Sequence, residues 1–344
     1  MVLSVSDRPF VSVVVPFRNA SATIRDNLAS LLSQAYPKES FEIILVDDAS
    51  TDGSVELVKG AVERALKSGF QVRLIRHGER RGPAAARNSG VASSRGEIVA
   101  FTDVDCLHDR RWLTNLVDGL RNGDVGGVYG NTVPIGEGAI AVPIHVGLAT
   151  AFKYATCNAA YRRDVLLKVG LFDERFREPF REDTDLALSV LESNWRIAYR
   201  EDAVVRHPVR AQSLSAIIRR GLLYRYDSLL YKKHPRTMRR GVTKLVAPIL
   251  GPFSVVGLLA LPIVAPSILL ACLLSLLHAL LFLALVAAFY GLFFVTRGYK
   301  VVTFGKGRVS LPLRVRCLLA LPIFLAVLLL ARLYGSLKFG KLLM

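Results

Sequence analysis

Two pairs of aspartates follow apolar segments in the N-terminal half of the chain, and their spacing suits the binding of a metal ion and of phosphates. Asp103 and Asp105 come directly after the apolar segment 98–102. Carboxylates at the end of a buried strand can hold a hard divalent cation such as Mn²⁺ or Mg²⁺, which in turn binds phosphate oxygens. Asp47 and Asp48 follow an earlier apolar segment. These two either accept hydrogen bonds from a base or a ribose, or form a turn before the next helix.

A cation and a second pair of acids are candidates to complete this site. Arg87 lies among small residues after Gly82, so it could pair with a diphosphate or with the aspartates, or form an ordinary surface ion pair. Glu182 and Asp183 begin a predicted helix, where the helix dipole alone would favour acids. Transfer to a hydroxyl group also needs a general base, and we predict Asp183 in that role, with Glu182 beside it. His207 is a candidate contact for phosphates and metal, or a loop histidine without a role.

The elements that must position these residues alternate along the chain. Apolar, β-branched segments predict strands, and segments with helical spacing of apolar residues separate them. This alternation predicts a doubly wound, mostly parallel sheet, in which ligands bind at the carboxyl ends of the strands. After Gly130 the pattern is less regular and predicts helices at 161–169 and 182–191 and a short strand at 197–199. The predicted strands of the first part are 11–15, 41–46, 72–75 and 98–102, and the helices are 24–32, 55–66 and 84–91.

The basic charge of the chain is concentrated toward its C-terminus. The chain has 45 Lys and Arg against 28 Asp and Glu, a net charge of +17. From Arg206 onward 20 basic residues accompany a single acid, Asp227, whereas the preceding residues include 25 basic and 27 acidic ones. A nucleic-acid-binding domain would carry its basic patch on the folded domain, so we expect no nucleic-acid partner. Basic residues that flank apolar segments favour anionic membrane lipids instead.

A long uncharged run predicts transmembrane helices. No Asp, Glu, Lys or Arg occurs from Leu245 to Thr296. This run is too long for one helix across a hydrocarbon core about 30 Å thick. Pro262 and Pro266 favour a turn. We therefore predict two spans, at about 245–265 and 267–296.

Two further segments are predicted to meet the membrane. The apolar segment 317–337 is either a third span, in which Arg332 reaches toward the interface, or an interfacial segment. Residues 214–231 predict a basic amphipathic helix, which lies at the interface or packs on the folded domain. Because positive loops favour the cytoplasmic side, we expect the N-terminal domain there, in an integral membrane protein. The predicted regions are a catalytic domain at 1–210, an interface segment at 211–244 and a transmembrane region at 245–344.

These motifs, in this order, resemble the family 2 glycosyltransferases with the GT-A fold. The resemblance covers about residues 10–210. The combination of motifs is specific for this family, although each motif alone is not. It implies an α/β GT-A catalytic domain, Rossmann-like with a mostly parallel sheet. The matching pieces are Val13-Val14-Val15-Pro16 with Asn19, the element Val-Asp-Asp-x-Ser-x-Asp at 46–52, Gly82 through Gly90, Asp103-x-Asp105, Gly170 through Glu174, and Glu182-Asp183.

The resemblance also implies a role for each candidate residue. A nucleoside-diphosphate sugar would bind at the strand ends, with Asp47 or Asp48 at the base and with Asp103 and Asp105 serving the sugar-nucleotide and the metal. Apart from the resemblance, we assign Mn²⁺ or Mg²⁺ to Asp105 and His207. Asp183 would act as the base of an inverting displacement. Trp195 is a candidate acceptor platform or a core residue, and Arg219 and Arg220 are candidate acceptor contacts. The candidate donor-binding residues are Pro16, Phe17, Asn19, Asp47, Asp48, Arg87 and Asp103.

The membrane region is similar to a reduced form of the cellulose-synthase-like enzymes, with two departures. The QxxRW motif of the processive synthases is absent, and Arg18 stands where many relatives have an aromatic residue. Three or fewer spans are also too few to line a polymer channel. We therefore expect transfer of one sugar, with mannose from GDP-mannose before a UDP-linked sugar, to a lipid-linked glycan or glycolipid. The alternatives are a synthase acting on polyprenyl or dolichyl phosphate and a non-catalytic nucleotide-sugar-binding membrane scaffold.

Overall fold

The computed structural model describes residues 8–135, 154–208, 219, 221–238, 327 and 330–340. Contacts divide the chain into two units, one of residues 1–137, 149–235 and 320–344 and the other of residues 138–148 and 236–319. The elements named below belong to the first unit. In the described part of the chain, none of the helices combines the length and the apolar character needed to cross a bilayer. The predicted spans 245–265 and 267–296 lie outside the described residues, as does most of 317–337.

The first unit is built on an eight-stranded sheet in the order β3-β2-β1-β4-β7-β6-β8-β5. Strands β1 to β4 run parallel to one another, and β6 and β8 are also parallel. Strand β7 is antiparallel to β4 and β6, and β5 is antiparallel to β8. The strands are β1 (Val11–Phe17), β2 (Phe41–Asp47), β3 (Gln71–Arg76), β4 (Ile98–Phe101), β5 (Leu107–His108), β6 (Val125–Ile135), β7 (Ala159–Arg162) and β8 (Arg196–Pro208).

The helices of the parallel half agree with the sequence prediction to within a few residues, and the second half differs more. Residues 161 and 162 belong to β7, so the helix predicted at 161–169 begins at Arg163. The sequence did not predict α4, β5 or β6. The helices are α1 (Ile24–Leu32), α2 (Ser54–Lys67), α3 (Pro83–Ser93), α4 (Trp112–Gly119), α5 (Arg163–Val169), α6 (Glu182–Glu192) and α7 (Tyr226–Lys233), and residues 330–339 form what we call the C-terminal helix.

The core consists of two apolar clusters, one on each face of the sheet. Side chains alternate along β1: Val13 and Val15 belong to one cluster, whereas Val14 belongs to the other. The first cluster contains residues of α1, α2 and α4, and the second contains residues of α3, α5 and α6. Because both faces are covered, the central strands are mostly apolar, with Ser12, Glu42 and Asp47 as buried polar exceptions.

The order of the strands explains why the aspartates after β4 meet the end of β8. The chain leaves β4 through Asp103 and Asp105 and immediately forms the short strand β5. Strand β5 pairs with β8, where Leu107 lies opposite Arg206. His207 follows Arg206 in β8, so the fold brings it next to the aspartate loop.

Candidate active site

Asp105 and His207 lie together at the carboxyl edge of the sheet. The His207 Nε2 is 3.6 Å from the Asp105 Oδ1. The thiol of Cys106 completes a group in which one ligand atom of each residue lies within 4.8 Å of the others. Cys106 is fully buried, and its hydrogen bond with Cys157, together with burial, raises the pKa of the thiol. The groups available to a cation here are therefore a carboxylate and an imidazole.

Arg87 joins the loop after β4 to the first turn of α6. Its Nη2 donates to the Asp103 Oδ1 at 3.1 Å, and its Nη1 donates to the Glu182 Oε1 at 3.0 Å. The guanidinium also lies over the ring of Phe172, 5.6 Å from the ring centre. Arg87 is buried, so it is not an ordinary surface residue. In the structure its guanidinium pairs with one of the aspartates, Asp103, and with Glu182.

The two acids at the start of α6 share a buried environment. Burial and the neighbouring Asp183 raise the pKa of Glu182 to about 7, although Arg87 opposes the shift. Burial also raises the pKa of Asp183, against the hydrogen bond that its Oδ1 accepts from the Thr184 N–H at 2.6 Å. Two carboxyl groups in this setting hold a proton near neutral pH more readily than exposed ones. Either acid can therefore take part in proton transfer under ordinary conditions.

Asp47 and Asp48 have separate structural tasks. Asp47 is fully buried, and its Oδ1 accepts the Ser50 N–H at 2.9 Å, which is the turn that the sequence offered as one alternative. Asp48 accepts the backbone N–H groups of Arg81 and Gly82, at 2.8 and 2.9 Å, and contacts the His77 ring at 3.0 Å. Burial raises the pKa of Asp48, but these hydrogen bonds outweigh burial and lower it overall.

Gly82 is required where this loop approaches Asp48. Its φ is +95°, and a Cβ at this position would lie 2.5 Å from the carbonyl oxygen of Arg177. Only glycine adopts this conformation without strain and leaves the space that the neighbouring backbone needs. The loop before α3 therefore depends on both the glycine and the carboxylate of Asp48.

Asn19 connects the loops after β1 and β2. Its side-chain Oδ1 accepts the Thr51 N–H at 2.8 Å, and its own N–H donates to the Ser50 Oγ at 2.9 Å. Its φ of 52° is in the left-handed region, which asparagine tolerates better than most residues. The contacts found in the structure give Asn19 a role in shaping the rim of the site.

An open cleft of about 420 Å³ lies at the carboxyl ends of β1, β4 and β8. Arg18, Arg80 and Glu178 also line it, although the sequence analysis did not select them as site residues. The Arg80 Nη2 donates to the Glu178 Oε2 at 2.9 Å. The sequence feature that could have indicated Arg80 as a site residue is the pair Arg80-Arg81 directly before Gly82-Pro83. The predicted residues that line the cleft are Pro16, Phe17, Asp48, Arg87, Asp103, Asp105 and His207.

The remaining candidates lie elsewhere or outside the described residues. Trp195 packs against the core cluster on the α6 side of the sheet, and the Lys168 Nζ lies 6.0 Å from its ring centre. Arg219 is an exposed helical residue, and Arg220 lies outside the described residues. Glu182 contacts the cleft through Arg87, and Asp183 follows it in the same turn. Arginines and carboxylates that line one cleft suit a diphosphate together with a divalent cation.

Comparisons with known proteins identify what this chain is similar to. Residues 12–140 match the family model Glycosyl transferase family 2. Glycosyltransferase AglE of Haloferax volcanii is 29% identical over 216 residues, which are 60% of this chain and 69% of AglE. The pre-mycofactocin glycosyltransferase of Mycobacterium tuberculosis is 28% identical over 241 residues, and the chain spans 48% of its length.

One solved structure is similar over nearly the whole chain. It is the mannosyltransferase PcManGT from Pyrobaculum calidifontis, in complex with GDP-Man and Mn²⁺. The two chains are 25% identical with a TM-score of 0.61, and the similarity covers 96% of this chain and 89% of PcManGT.

Proposed function

We propose that this chain, a glycosyltransferase with a family 2 domain of the GT-A fold, is an inverting, metal-dependent enzyme that transfers one sugar to a lipid-linked acceptor at a membrane. The observation that carries this proposal is the cleft in which Asp105 and His207 accompany Arg87 at the strand ends. A nucleotide sugar offers this cleft a diphosphate, and the side chains there provide both a cation site and a fixed positive charge.

The residues present fit a divalent cation. Asp105 and His207 would hold Mn²⁺ or Mg²⁺, since a carboxylate and an imidazole are ordinary ligands for Mn²⁺ and a carboxylate suits Mg²⁺. Cys106, as a buried thiol with a raised pKa, would not contribute. The cation, when bound, would neutralise the negative charge that develops on the diphosphate as the sugar leaves.

The protein's own side chains would position the donor and accept a proton. Asp103 and Glu182 fix the guanidinium of Arg87 at the cleft, so it meets the donor without further reorganisation. Asp183 would remove the proton from the acceptor hydroxyl while that oxygen attacks the sugar from the face opposite the diphosphate. The raised pKa of Asp183 makes it a better base than an exposed aspartate.

GDP-mannose is the donor that we favour. PcManGT, whose structure contains GDP-Man and Mn²⁺, is similar across 96% of this chain. A UDP-linked sugar is the second candidate. The membrane location rests on the uncharged run from Leu245 to Thr296 and on the basic residues that accompany it. A lipid-linked acceptor would be delivered at that surface, with the catalytic domain on the cytoplasmic side.

Binding of a nucleotide together with the metal tests the proposal. The full chain in detergent is unfolded thermally with Mn²⁺ and GDP, UDP, CDP or dTDP. A ligand at 100 times its dissociation constant stabilises the native state by about 2.7 kcal/mol, so the matching nucleotide raises the midpoint of unfolding. We expect this rise with GDP, only in the presence of Mn²⁺.

Two variants locate the binding. Asp105→Asn should remove the metal-dependent rise while the protein remains folded. Asp109→Asn is the matched control, because this aspartate pairs with Arg206 at 2.6 Å and does not line the cleft. A rise with UDP alone would replace the donor assignment, and no rise with any nucleotide in folded protein would contradict the function.

A further inference from the structure

We propose that Asp227 and Arg332 are positioning residues for the active site, because they fix the residue that directly precedes Glu182 and Asp183. That residue is Arg181, and the segments that hold it lie beyond the matched family region, which ends at residue 140. The inference rests on the proposed role of Asp183 as the base. In this proposal, α7 and the C-terminal helix hold the start of α6 in the position that directs Asp183.

Arg181 adopts a backbone conformation that its surroundings must maintain. Its φ is 77°, in the left-handed region, and it is buried at the N-terminus of α6. Non-glycine residues rarely adopt this conformation unless neighbouring contacts impose it. The Arg181 carbonyl accepts the Asp185 N–H at 2.8 Å, which closes the first turn of the helix. The conformation of Arg181 therefore sets where that turn begins and where Asp183 is directed.

Asp227 in α7 holds the side chain of Arg181. The Arg181 Nε donates to the Asp227 Oδ1 at 2.8 Å. The same guanidinium lies over two aromatic rings, 4.7 Å from the ring centre of Phe180 and 5.8 Å from that of Tyr224. These contacts leave the side chain little freedom, and both ends of the ion pair are buried.

Arg332 in the C-terminal helix holds the other oxygen of Asp227. Its Nη2 and Nε donate to the Asp227 Oδ2 at 2.7 and 3.0 Å. Its guanidinium lies 5.6 Å from the ring centre of Tyr224, the ring that Arg181 also contacts. One buried carboxylate thus lies between two guanidinium groups. Removal of Asp227 leaves the buried Arg181 without its partner, and removal of Arg332 frees one oxygen of Asp227.

The other end of α7 is attached to the same helix, α6. The Lys233 Nζ donates to the Asp185 Oδ2 at 2.6 Å and to the Asp173 Oδ2 at 2.9 Å. His234, just after α7, contacts the Asp185 Oδ1 at 3.0 Å and the Glu192 Oε2 at 2.8 Å. Helix α7 is therefore fixed along the length of α6, and Asp227 has a defined position relative to Arg181.

Loss of these contacts should change the direction of the Asp183 carboxylate without destabilising the sheet. If Arg181 is released, the first turn of α6 can relax, and Asp183 moves relative to the donor cleft. A displacement of about 1 Å at a reacting group can reduce a rate roughly 100-fold. Donor binding should change less than the rate, because Asp105 and His207 lie together outside α6 and Arg87 keeps its contact with Asp103.

The experiment compares four variants of the full chain in detergent. Asp227→Asn and Arg332→Gln break the connection to Arg181, and Arg332→Lys conserves the charge. Lys232→Met is the matched control, because Lys232 joins α7 to the C-terminal helix through the Phe339 carbonyl at 3.0 Å. It is not a member of the ion pairs that Asp227 forms with Arg181 and Arg332. Hydrogen–deuterium exchange of the peptide that spans 181–186 is measured, together with Mn²⁺-dependent binding of the stabilising nucleotide and the kcat and KM of transfer.

We expect exchange in 181–186 to rise about tenfold in Asp227→Asn and Arg332→Gln, with strands β1 to β4 unchanged. The kcat should fall roughly 10-fold to 100-fold, with the donor KM and nucleotide binding within about twofold of the parent. Arg332→Lys should recover most of the kcat, and Lys232→Met should behave as the parent. Because Arg332 is partly exposed, its variants remain informative if Asp227→Asn does not fold.

Unchanged exchange in 181–186 in the folded Arg332→Gln variant would overturn the inference, as would an equal loss of kcat in Lys232→Met. Failure of the proposed function has a different signature. In that case Asp183→Asn retains transfer, or no nucleotide binds, while the exchange result still reports whether Arg332 and Asp227 order the start of α6.

Discussion

At the residue scale, Glu182 and Asp183 show how burial can prepare a proton acceptor. Both carboxyl groups have raised pKa values because they are removed from water, and the pKa of Glu182 reaches about 7. Arg87 compensates part of the negative charge through Glu182. The pKa of Glu182 therefore lies near neutral pH and that of Asp183 lies above its ordinary value, and a raised pKa suits a base for hydroxyl activation.

The pH dependence of transfer follows from this pair. Because a base must be ionised, we expect the rate to fall as the pH drops into the range of the raised pKa values of this pair, where it takes up a proton. Glu182→Gln removes one of the two coupled charges but keeps an oxygen for Arg87, so the acidic limb of the kcat profile should move to lower pH. Asp183→Asn should lose about 10²- to 10⁴-fold in kcat at every pH.

An exposed acid provides the control for these variants. Glu174 pairs with Arg81 at 3.0 Å, and Glu174→Gln should leave the pH profile unchanged. An acidic limb that stays in place in Glu182→Gln would remove the role given to the pair. Full activity of Asp183→Asn on a polyprenyl phosphate would favour the alternative acceptor, whose oxygen is already an anion and needs no base.

At the element scale, the position of Arg87 depends on how closely α3 packs on the sheet. The helix presents small residues toward the strands, and Ala84 and Ala86 belong to the same core cluster as Val14 in β1. A Cβ at Gly90 would lie 2.3 Å from the Val14 Cγ1. The helix therefore approaches the strand more closely than any other residue at this position would allow.

Substitution of this glycine should displace the helix. We expect Gly90→Ala to destabilise the fold by about 1–3 kcal/mol, because the added methyl group overpacks the core. Gly60→Ala is the matched control: its Cβ would meet only the end of the Arg64 side chain, at 3.5 Å, inside α2. That variant should be stabilised by about 0.4–1 kcal/mol. Urea unfolding measures both, and equal stabilities would contradict this account of the packing.

At the scale of the whole molecule, the basic and apolar residues are concentrated toward the C-terminus of the chain. Ion pairs nevertheless connect the C-terminal helix to α7 and α7 to the start of α6. The 20 basic residues from Arg206 onward include Arg332, and the acid among them, Asp227, is the partner of Arg332. Leu333 and Leu337 of the C-terminal helix are exposed, whereas Ala331 and Ser336 are buried. Arg332, predicted to reach toward the interface if 317–337 spans the membrane, pairs with Asp227 of α7. Whether 317–337 spans the membrane stays a prediction.

Membrane attachment is tested on the whole chain expressed in cells. If the run from Leu245 to Thr296 inserts into the bilayer, the protein should remain in the membrane pellet after washes with high salt and with alkaline carbonate. Detergent should then release it. Release by salt alone would show that the basic residues hold the protein at the surface through charge, and the predicted spans at 245–265 and 267–296 would be wrong.

Much of the site could be predicted from the sequence because its residues follow strands that the sequence predicts. Asp103 and Asp105 are placed by the apolar segment before them, and the cleft at the strand ends contains both, together with Asp48 and Arg87. The sequence predicted a mostly parallel sheet but did not locate its antiparallel strands, β5 and β7. Strands β5 and β7 are too short to show a periodic pattern, and their directions depend on pairing with distant strands.

The sequence by itself determined the alternating elements, the two core faces and the clustering of acids at strand ends, because these depend on local composition and periodicity. Only the tertiary structure decided which distant side chains meet. Arg87 pairs with Glu182 across 95 residues, and Asp227 pairs with Arg332 across 105. Such pairs depend on strand order and helix packing, which bring together segments that are far apart in the sequence. Local composition and periodicity do not predict which of these segments meet.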